Sequence, residues 1–223
     1  ARLRKFFGSD IDEINVFGSY SRGTILPREL DEASDVDILV VFNSDGSSNQ
    51  TYLNRLKRFA EFYYSSSTIK QSFPTVVLEL NHIKFDLVPA YRNFLGRLQI
   101  PDKSGDWQST YPFYFNSQLT ELNKNKLSNI KPAIRLCKIW NSSRGHVYES
   151  FELETKIVEN CRAFSYSITD LFLDVFDEIS IFDFHTEWRR NEVRRAKEIA
   201  SEVRYKVEND WLHLAEDEVK KLV

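Results

Sequence analysis

Ser34-Asp35-Val36-Asp37-Ile38-Leu39-Val40-Val41 sets two carboxylates one residue apart at the entrance to an apolar run that continues to Phe42. Side chains alternate across a strand, so Asp35 and Asp37 point to one face. An unbroken apolar stretch such as Ile38 to Phe42 is what a central strand covered on both faces requires. The chain is therefore expected to build a layered sheet with two acidic groups held together near the start of an inner strand. Carboxylates so close repel unless a cation lies between them, and a divalent metal is the natural partner.

The elements around this strand alternate in the first half. Ile14 to Phe17 reads as a short strand running into a Gly18-Ser19 turn. Residues 43–48, Asn-Ser-Asp-Gly-Ser-Ser, break the pattern as a loop. Thr51 to Tyr64 carries Leu53, Leu56, Ala60 and Tyr63/Tyr64 at helical spacing, as an amphipathic helix laid on a sheet does. Thr75 to Leu80 and Ile83 to Val88 form a strand pair with Asn81-His82 as a two-residue hairpin connection.

Beyond the loop Pro101 to Asp106 no strand is expected. Leu119 to Asn141 contains a helix with Pro132 in its first turn and an inner stripe of Ala133, Leu136, Cys137 and Trp140. Ser150 to Phe164 and Ile168 to Ile179 read as two more helices, and Glu187 to Val223 as a long charged helical region broken once. An α/β half followed by an all-helical half results, with domains at residues 1–106 and 107–223.

Composition narrows the function classes. The 223 residues are 42% hydrophobic and 14% aromatic, enough to fill a core. A net charge of −3 and a pI near 5.9 argue against a protein whose main task is coating nucleic acid. No apolar run approaches the ~20 residues that cross a bilayer, and nothing at the start reads as a signal peptide. With no methionine in the chain, Ala1 is not expected to be the natural start. Cys137 and Cys161 are too few for a disulfide framework and read as small buried side chains in a reducing cytoplasm, with no disulfide-linked partner.

A third carboxylate, Asp86, lies in Ile83-Lys84-Phe85-Asp86-Leu87-Val88-Pro89. If that strand neighbours the first, Asp35, Asp37 and Asp86 make an oxygen-rich site suited to magnesium or manganese. Two such ions roughly 4 Å apart would activate an attacking hydroxyl and stabilise leaving pyrophosphate. Gly18 lets the backbone approach a phosphate, and Ser19 opens a helix whose free N–H groups face a triphosphate.

The order Gly18-Ser19, Asp35-Val36-Asp37, Asp86 resembles the DNA polymerase β-type nucleotidyltransferase superfamily. The fuller wording, Gly18-Ser19-Tyr20-Ser21-Arg22-Gly23-Thr24 with Ser34-Asp35-Val36-Asp37, is similar to its bacterial CD-NTase branch, related to cGAS, DncV and animal oligoadenylate synthetases. The resemblance implies an α+β chain: a polymerase β-like nucleotidyltransferase fold, a mixed sheet with flanking helices, followed by an all-helical C-terminal domain. It implies Asp35, Asp37 and Asp86 as ligands of two magnesium or manganese ions, with Asp86 also activating the attacking ribose hydroxyl. Gly18 and Ser19 become triphosphate contacts. The product implied is a cyclic oligonucleotide messenger in antiphage defence, made from nucleoside triphosphates, with an activating protein or RNA as a further partner.

Ile134 to Asn141 resembles the family helix whose lysine holds the incoming triphosphate, which would be Lys138; an ordinary surface lysine is the other reading. Ser150, in Ser150-Phe151-Glu152-Leu153-Glu154, is a helix N-cap with a second role as a phosphate contact. Ala196 to Trp211 looks like the family's last helix.

Other residues support weaker readings. His82, His146, His185 and His213 show no ligand spacing, and His82 is placed in a turn. Arg189, Arg190, Arg194, Arg195 and Lys197 suit RNA or a polymeric activator, against a solvated face whose Arg194/Glu198 and Glu202/Lys206 spacings suit ion pairs. Lys124, Lys126 and Lys131 fit either a cleft or a connecting loop. Tyr91, Tyr111, Tyr114 and Tyr148 are candidates for stacking on a purine, against a place in the core. Two other functions keep the fold: transfer of a nucleotide to tRNA, a protein hydroxyl or a small molecule, and a catalytically silent nucleotide or RNA sensor.

Overall fold

The structure is a computed structural model that describes residues 2–43, 47–102, 104–161 and 165–222. The middle of the expected 43–48 loop, Lys103 and the end of the expected helix at 162–164 lie outside the described residues. The chain separates into two compact units, residues 1–28 with 33–118, and residues 29–32 with 119–223.

In the first unit the elements are α1 (Arg2–Phe7), β1 (Ile11–Phe17), α2 (Gly18–Arg22), β2 (Val36–Phe42), α3 (Asn49–Tyr63), β3 (Thr68–Ser72), β4 (Thr75–Leu80), β5 (Ile83–Arg92), β6 (Leu98–Pro101) and β7 (Trp107–Ser109). The strands form a mixed sheet in the order β1-β2-β5-β4-β3, with β6 on the far end of β5 and β7 beyond it. The β2–β5 pair is parallel, and β1–β2 and β4–β5 are antiparallel. The Asn81-His82 connection is a hairpin turn, with Leu80 opposite Ile83 and Asn81 in the left-handed region at φ 49°.

Alternation along β2 divides its side chains between two cores. Val40 and Phe42 pack with Leu87 and Val76 against Tyr52, Leu53, Leu56 and Phe59, the inner stripe of α3. Each such side chain contributes about 1.5–3 kcal/mol on burial. Leu39 and Val41 face the other way, with Val88, Ala90 and Leu98. Asp35 and Asp37 share parity with this second set, so the acidic groups lie on the face opposite α3. Ser48 starts α3 by accepting from the Thr51 N–H at 3.3 Å.

Two expectations about strands are corrected. A strand does follow Asp102: β7 pairs with β6 through Gln99–Ser109 and Pro101–Trp107, but its three residues leave too little pattern to read. β5 runs past Val88 through Pro89. The β4 pairing ends at Leu87 and the β6 pairing begins at Tyr91, so Pro89 sits where β5 has β2 alone as neighbour and loses no ladder bond. The β6–β7 pairing also keeps residues 107–109 with the sheet. The boundary between units falls between Gln118 and Leu119, inside α4 (Pro112–Asn125), where the sequence placed it at 106/107.

The second unit is helical: α5 (Ile130–Ser143), α6 (Ser150–Glu159), α7 (Ile168–Glu178), α8 (Glu187–Glu208) and α9 (Leu212–Val219). The break in the last region falls at Asn209-Asp210-Trp211, with Asp210 at φ 61°. Of the expected stripe of α5, Ala133, Cys137 and Trp140 are fully buried while Leu136 is only half-buried and Ile134 is buried instead; Trp140 meets Phe176 of α7 edge to face at 5.2 Å. Among the described residues no helix is long and apolar enough to cross a membrane.

Candidate active site

Parallel pairing of β2 with β5 sets Asp37 directly beside Asp86, and Phe17, the last residue of β1, faces Asp37 from the other side. Asp35 precedes β2 by one residue and shares its face. The chain turns after Phe17 into α2, which Gly23 closes in the left-handed conformation at φ 71°. Gly18 has φ +65°, and a Cβ built on it would stand 1.8 Å from Asp37 Oδ2. Glycine is required there twice, for its backbone angle and for room beside the carboxylate. Ser19 follows in the first turn of α2, half-exposed, and among the described residues no partner engages its hydroxyl. Ser21 donates to the Gly18 carbonyl at 3.0 Å and accepts from Asn116 at 3.2 Å.

Electrostatics at the site are strained. Burial pushes the Asp37 carboxyl up to about 7, reinforced by the charges of Asp35 and Asp86 and opposed by Arg22 and Lys84. Burial and the Asp35 charge also raise Asp86, against Lys84 and a hydrogen bond with Thr75. The Thr75 hydroxyl lies 3.2 Å from Asp86 Oδ2, while Asp86 Oδ1 is buried without a hydrogen-bond partner among the described residues. Lys84 Nζ contacts Asp35 Oδ2 at 3.0 Å and the Ala33 carbonyl at 3.2 Å. Burial would lower this ammonium's pKa, yet the Asp35 hydrogen bond and charge, with the Asp86 charge, hold it above its ordinary value. Among the described residues no three His, Cys, Asp or Glu side chains already stand as a ligand cluster.

The structure thus brings Gly18, Ser19, Asp35, Asp37 and Asp86 together around the start of β2, on one face of the sheet's inner strands. Sequence reasoning missed Lys84 and Thr75. The signal for Lys84 was present, since it stands two residues before Asp86 and strand alternation puts both on one face. Thr75 acts across the β4–β5 hairpin, two residues from Val77, the register partner of Asp86.

Lys138 and Ser150 belong to the second unit. Lys138 is no surface lysine: it is buried, and its Nζ pairs with the fully buried Glu154 of α6 at 3.2 Å. Ser150 is the first residue of α6 rather than its cap; extended Glu149 precedes it, and no side chain caps the helix. Tyr148 is also corrected, because its ring is buried edge-on against Phe184 and its hydroxyl donates to Asp183 at 3.0 Å, leaving no face for a purine. Tyr91 meets Trp107 edge to face, whereas Tyr111 and Tyr114 are exposed.

The remaining basic residues follow no single pattern. Lys126 is buried, with its ammonium over the Tyr166 ring at 4.7 Å. On α8, Lys206 pairs with Glu202 as the spacing predicts, while Arg194 donates to Asn191 instead of Glu198. Cys137 is fully buried and Cys161 only half-buried.

Comparisons with known proteins bear on the family and the fold. A probable cyclic nucleotide synthase of Bacillus cereus (strain VD146) is 28% identical over an alignment of 186 residues, with 66% of this chain and 55% of that protein covered. The chain therefore spans about half the length of the curated relative it matches. The fold is similar to that of the Bradyrhizobium diazoefficiens CD-NTase CdnG in complex with GTP, with TM-score 0.71 and 11% identity over 98% of this chain and 89% of that one. It is similar to E. coli MS115-1 CdnC with ATP, at TM-score 0.71 and 13% identity over 98% and 87% of the two chains. Vibrio cholerae DncV in its apo form gives TM-score 0.69 and 9% identity over 87% of this chain and 63% of that one. Residues 1–123, the span of this chain in which Gly18, Asp35, Asp37 and Asp86 lie, match the model of the Second Messenger Oligonucleotide or Dinucleotide Synthetase domain. The chain belongs to that family.

Proposed function

We propose that this chain is a metal-dependent nucleotidyltransferase that joins nucleoside triphosphates into a cyclic oligonucleotide and releases pyrophosphate. The observation that carries the reading is the in-register pair Asp37–Asp86, with Asp35 on the same face and Gly18 packed against Asp37. The donor set fits magnesium or manganese: all three groups are hard oxygens, Asp86 Oδ1 is buried without a partner among the described residues, and burial followed by like-charge repulsion raises both Asp37 and Asp86. Two such ions held by Asp35, Asp37 and Asp86 would neutralise the triphosphate and favour ionisation of the attacking hydroxyl.

The chain's own groups have separate tasks. Gly18 and Ser19 bind the triphosphate, since Gly18 carries no side chain in the way and the Ser19 hydroxyl is unengaged. The attacking ribose oxygen bonds to the α-phosphorus, the bond to the β-phosphate bridge breaks, and Asp86 takes up the hydroxyl proton. Thr75 holds Asp86 in orientation. A triphosphate role for Lys138 requires its ammonium to leave Glu154, and one for Ser150 draws on its hydroxyl at the start of α6.

The names of the relatives support nucleotides as substrates and a cyclic product, and a part in antiphage defence belongs to the same reading. An E. coli MS115-1 CdnC structure in complex with a HORMA protein supports a protein partner here. Incubation with the four ribonucleotides and magnesium or manganese, with and without candidate activators, should release pyrophosphate and give phosphatase-resistant products. Asp37→Asn should abolish both. Unchanged activity in that variant sinks the assignment.

A further inference from the structure

Of the three acidic groups of the first unit, Asp35 is engaged by a cation of the chain itself. Lys84 Nζ lies 3.0 Å from Asp35 Oδ2 and is fixed by a second bond to the Ala33 carbonyl at 3.2 Å. Both partners of the pair are largely buried, at 19% and 26% side-chain exposure, so water screens the pair only in part. Lys84 stands on β5 two residues before Asp86, on the same face, and Asp86 stands beside Asp37. One ammonium is thus installed by the fold at the edge of a carboxylate group whose repulsion it lowers.

We propose that Lys84 is a built-in counter-cation for the acidic group, holding Asp35 while no metal is bound and displaced from it when a divalent ion binds. The inference rests on the metal site proposed above and adds a residue that sets its affinity. A metal ion and an ammonium cannot both occupy Asp35 Oδ2 without strong repulsion, so metal affinity includes the cost of detaching Lys84. The arrangement keeps Asp35 ordered in the metal-free protein and weakens capture of metal alone. Lys84 acts through Asp35, so it is a positioning residue and no participant in bond formation.

Manganese binding to the nucleotide-free protein, followed by electron paramagnetic resonance, tests the idea independently of activity. Lys84→Met keeps the aliphatic stem and removes the charge, and should tighten the manganese Kd by about 3–10-fold, the scale of one partly buried ion pair. Its thermal midpoint without metal should fall, and its shift on adding manganese should exceed that of the wild type. Lys84→Arg retains the charge and should bind manganese much as the wild type does. An unchanged or weaker Kd in Lys84→Met, or a tightening in Lys84→Arg equal to that in Lys84→Met, overturns the proposal. Should Lys84→Met fail to fold, Lys84→Gln carries the same expectation. Asp35→Asn separates the two levels of argument. If it binds manganese as the wild type does, the metal site itself is misassigned; if it loses manganese while Lys84→Met binds unchanged, only the role of Lys84 fails.

Discussion

At Asp37 three unfavourable effects meet in one carboxyl: burial, the charge of Asp35 and the charge of Asp86. Its folded value near 7 exceeds the ordinary 3.8, so between those pH values the native state binds more protons than the unfolded state. The contribution of this group to stability therefore falls as pH rises from about 4 to about 7. In the presence of a chelator, Asp37→Asn should be more stable than the wild type at pH 7.5, by roughly 1–4 kcal/mol, with the gain fading near pH 4. Urea denaturation at the two pH values measures it, and a variant less stable at pH 7.5 contradicts it. Gly18→Ala has the opposite sign. A left-handed alanine with Cβ overlapping Asp37 should cost about 1–3 kcal/mol and, by moving the carboxylate, lower pyrophosphate release on the order of 100-fold. Gly18 was legible in the sequence as a close-approach residue, but its tight neighbour Asp37 emerged only once β1 and β2 were paired.

At the level of elements, α5 and α6 are tied by the Lys138–Glu154 pair, with both side chains almost wholly out of water. Removing one partner strands a buried charge. Glu154→Ala should therefore lose about 3–5 kcal/mol, and Lys138→Met/Glu154→Leu should recover much of it because the desolvation penalty vanishes with the charges. Thermal or urea unfolding of the single and double variants decides this. The helical stripe of α5 was legible because Ala133, Cys137 and Trp140 repeat at helical spacing. The burial of Lys138 among them was not, since only the approach of α6 encloses that position. Short elements escaped for a simpler reason. β6 and β7 have four and three residues, too few for alternation to stand out.

For the whole molecule, binding to the native state alone stabilises it by mass action. With manganese present, a nucleoside triphosphate at 100 times its Kd should add about 2.7 kcal/mol to stability. A thermal-shift panel of the four ribonucleotides should rank the bases this chain accepts. The shifts should shrink in Asp35→Asn/Asp37→Asn, where metal and triphosphate lose their anchor. Equal shifts in that variant and the wild type would place nucleotide binding elsewhere.

The sequence by itself determined the inner strand, the face of its two aspartates, the hairpin carrying the third, the glycine turn and the passage to a helical half. These follow from local periodicity and steric rules, which act between residues near in the chain. Tertiary structure decided that β5 runs beside β2 in parallel register, setting Asp86 against Asp37, and that Lys84 reaches Asp35. It also decided that Lys138 is buried and Ser150 begins its helix uncapped. The register and the two lysine contacts depend on which distant segment packs alongside, and desolvation and charge coupling are set by that packing rather than by position along the chain.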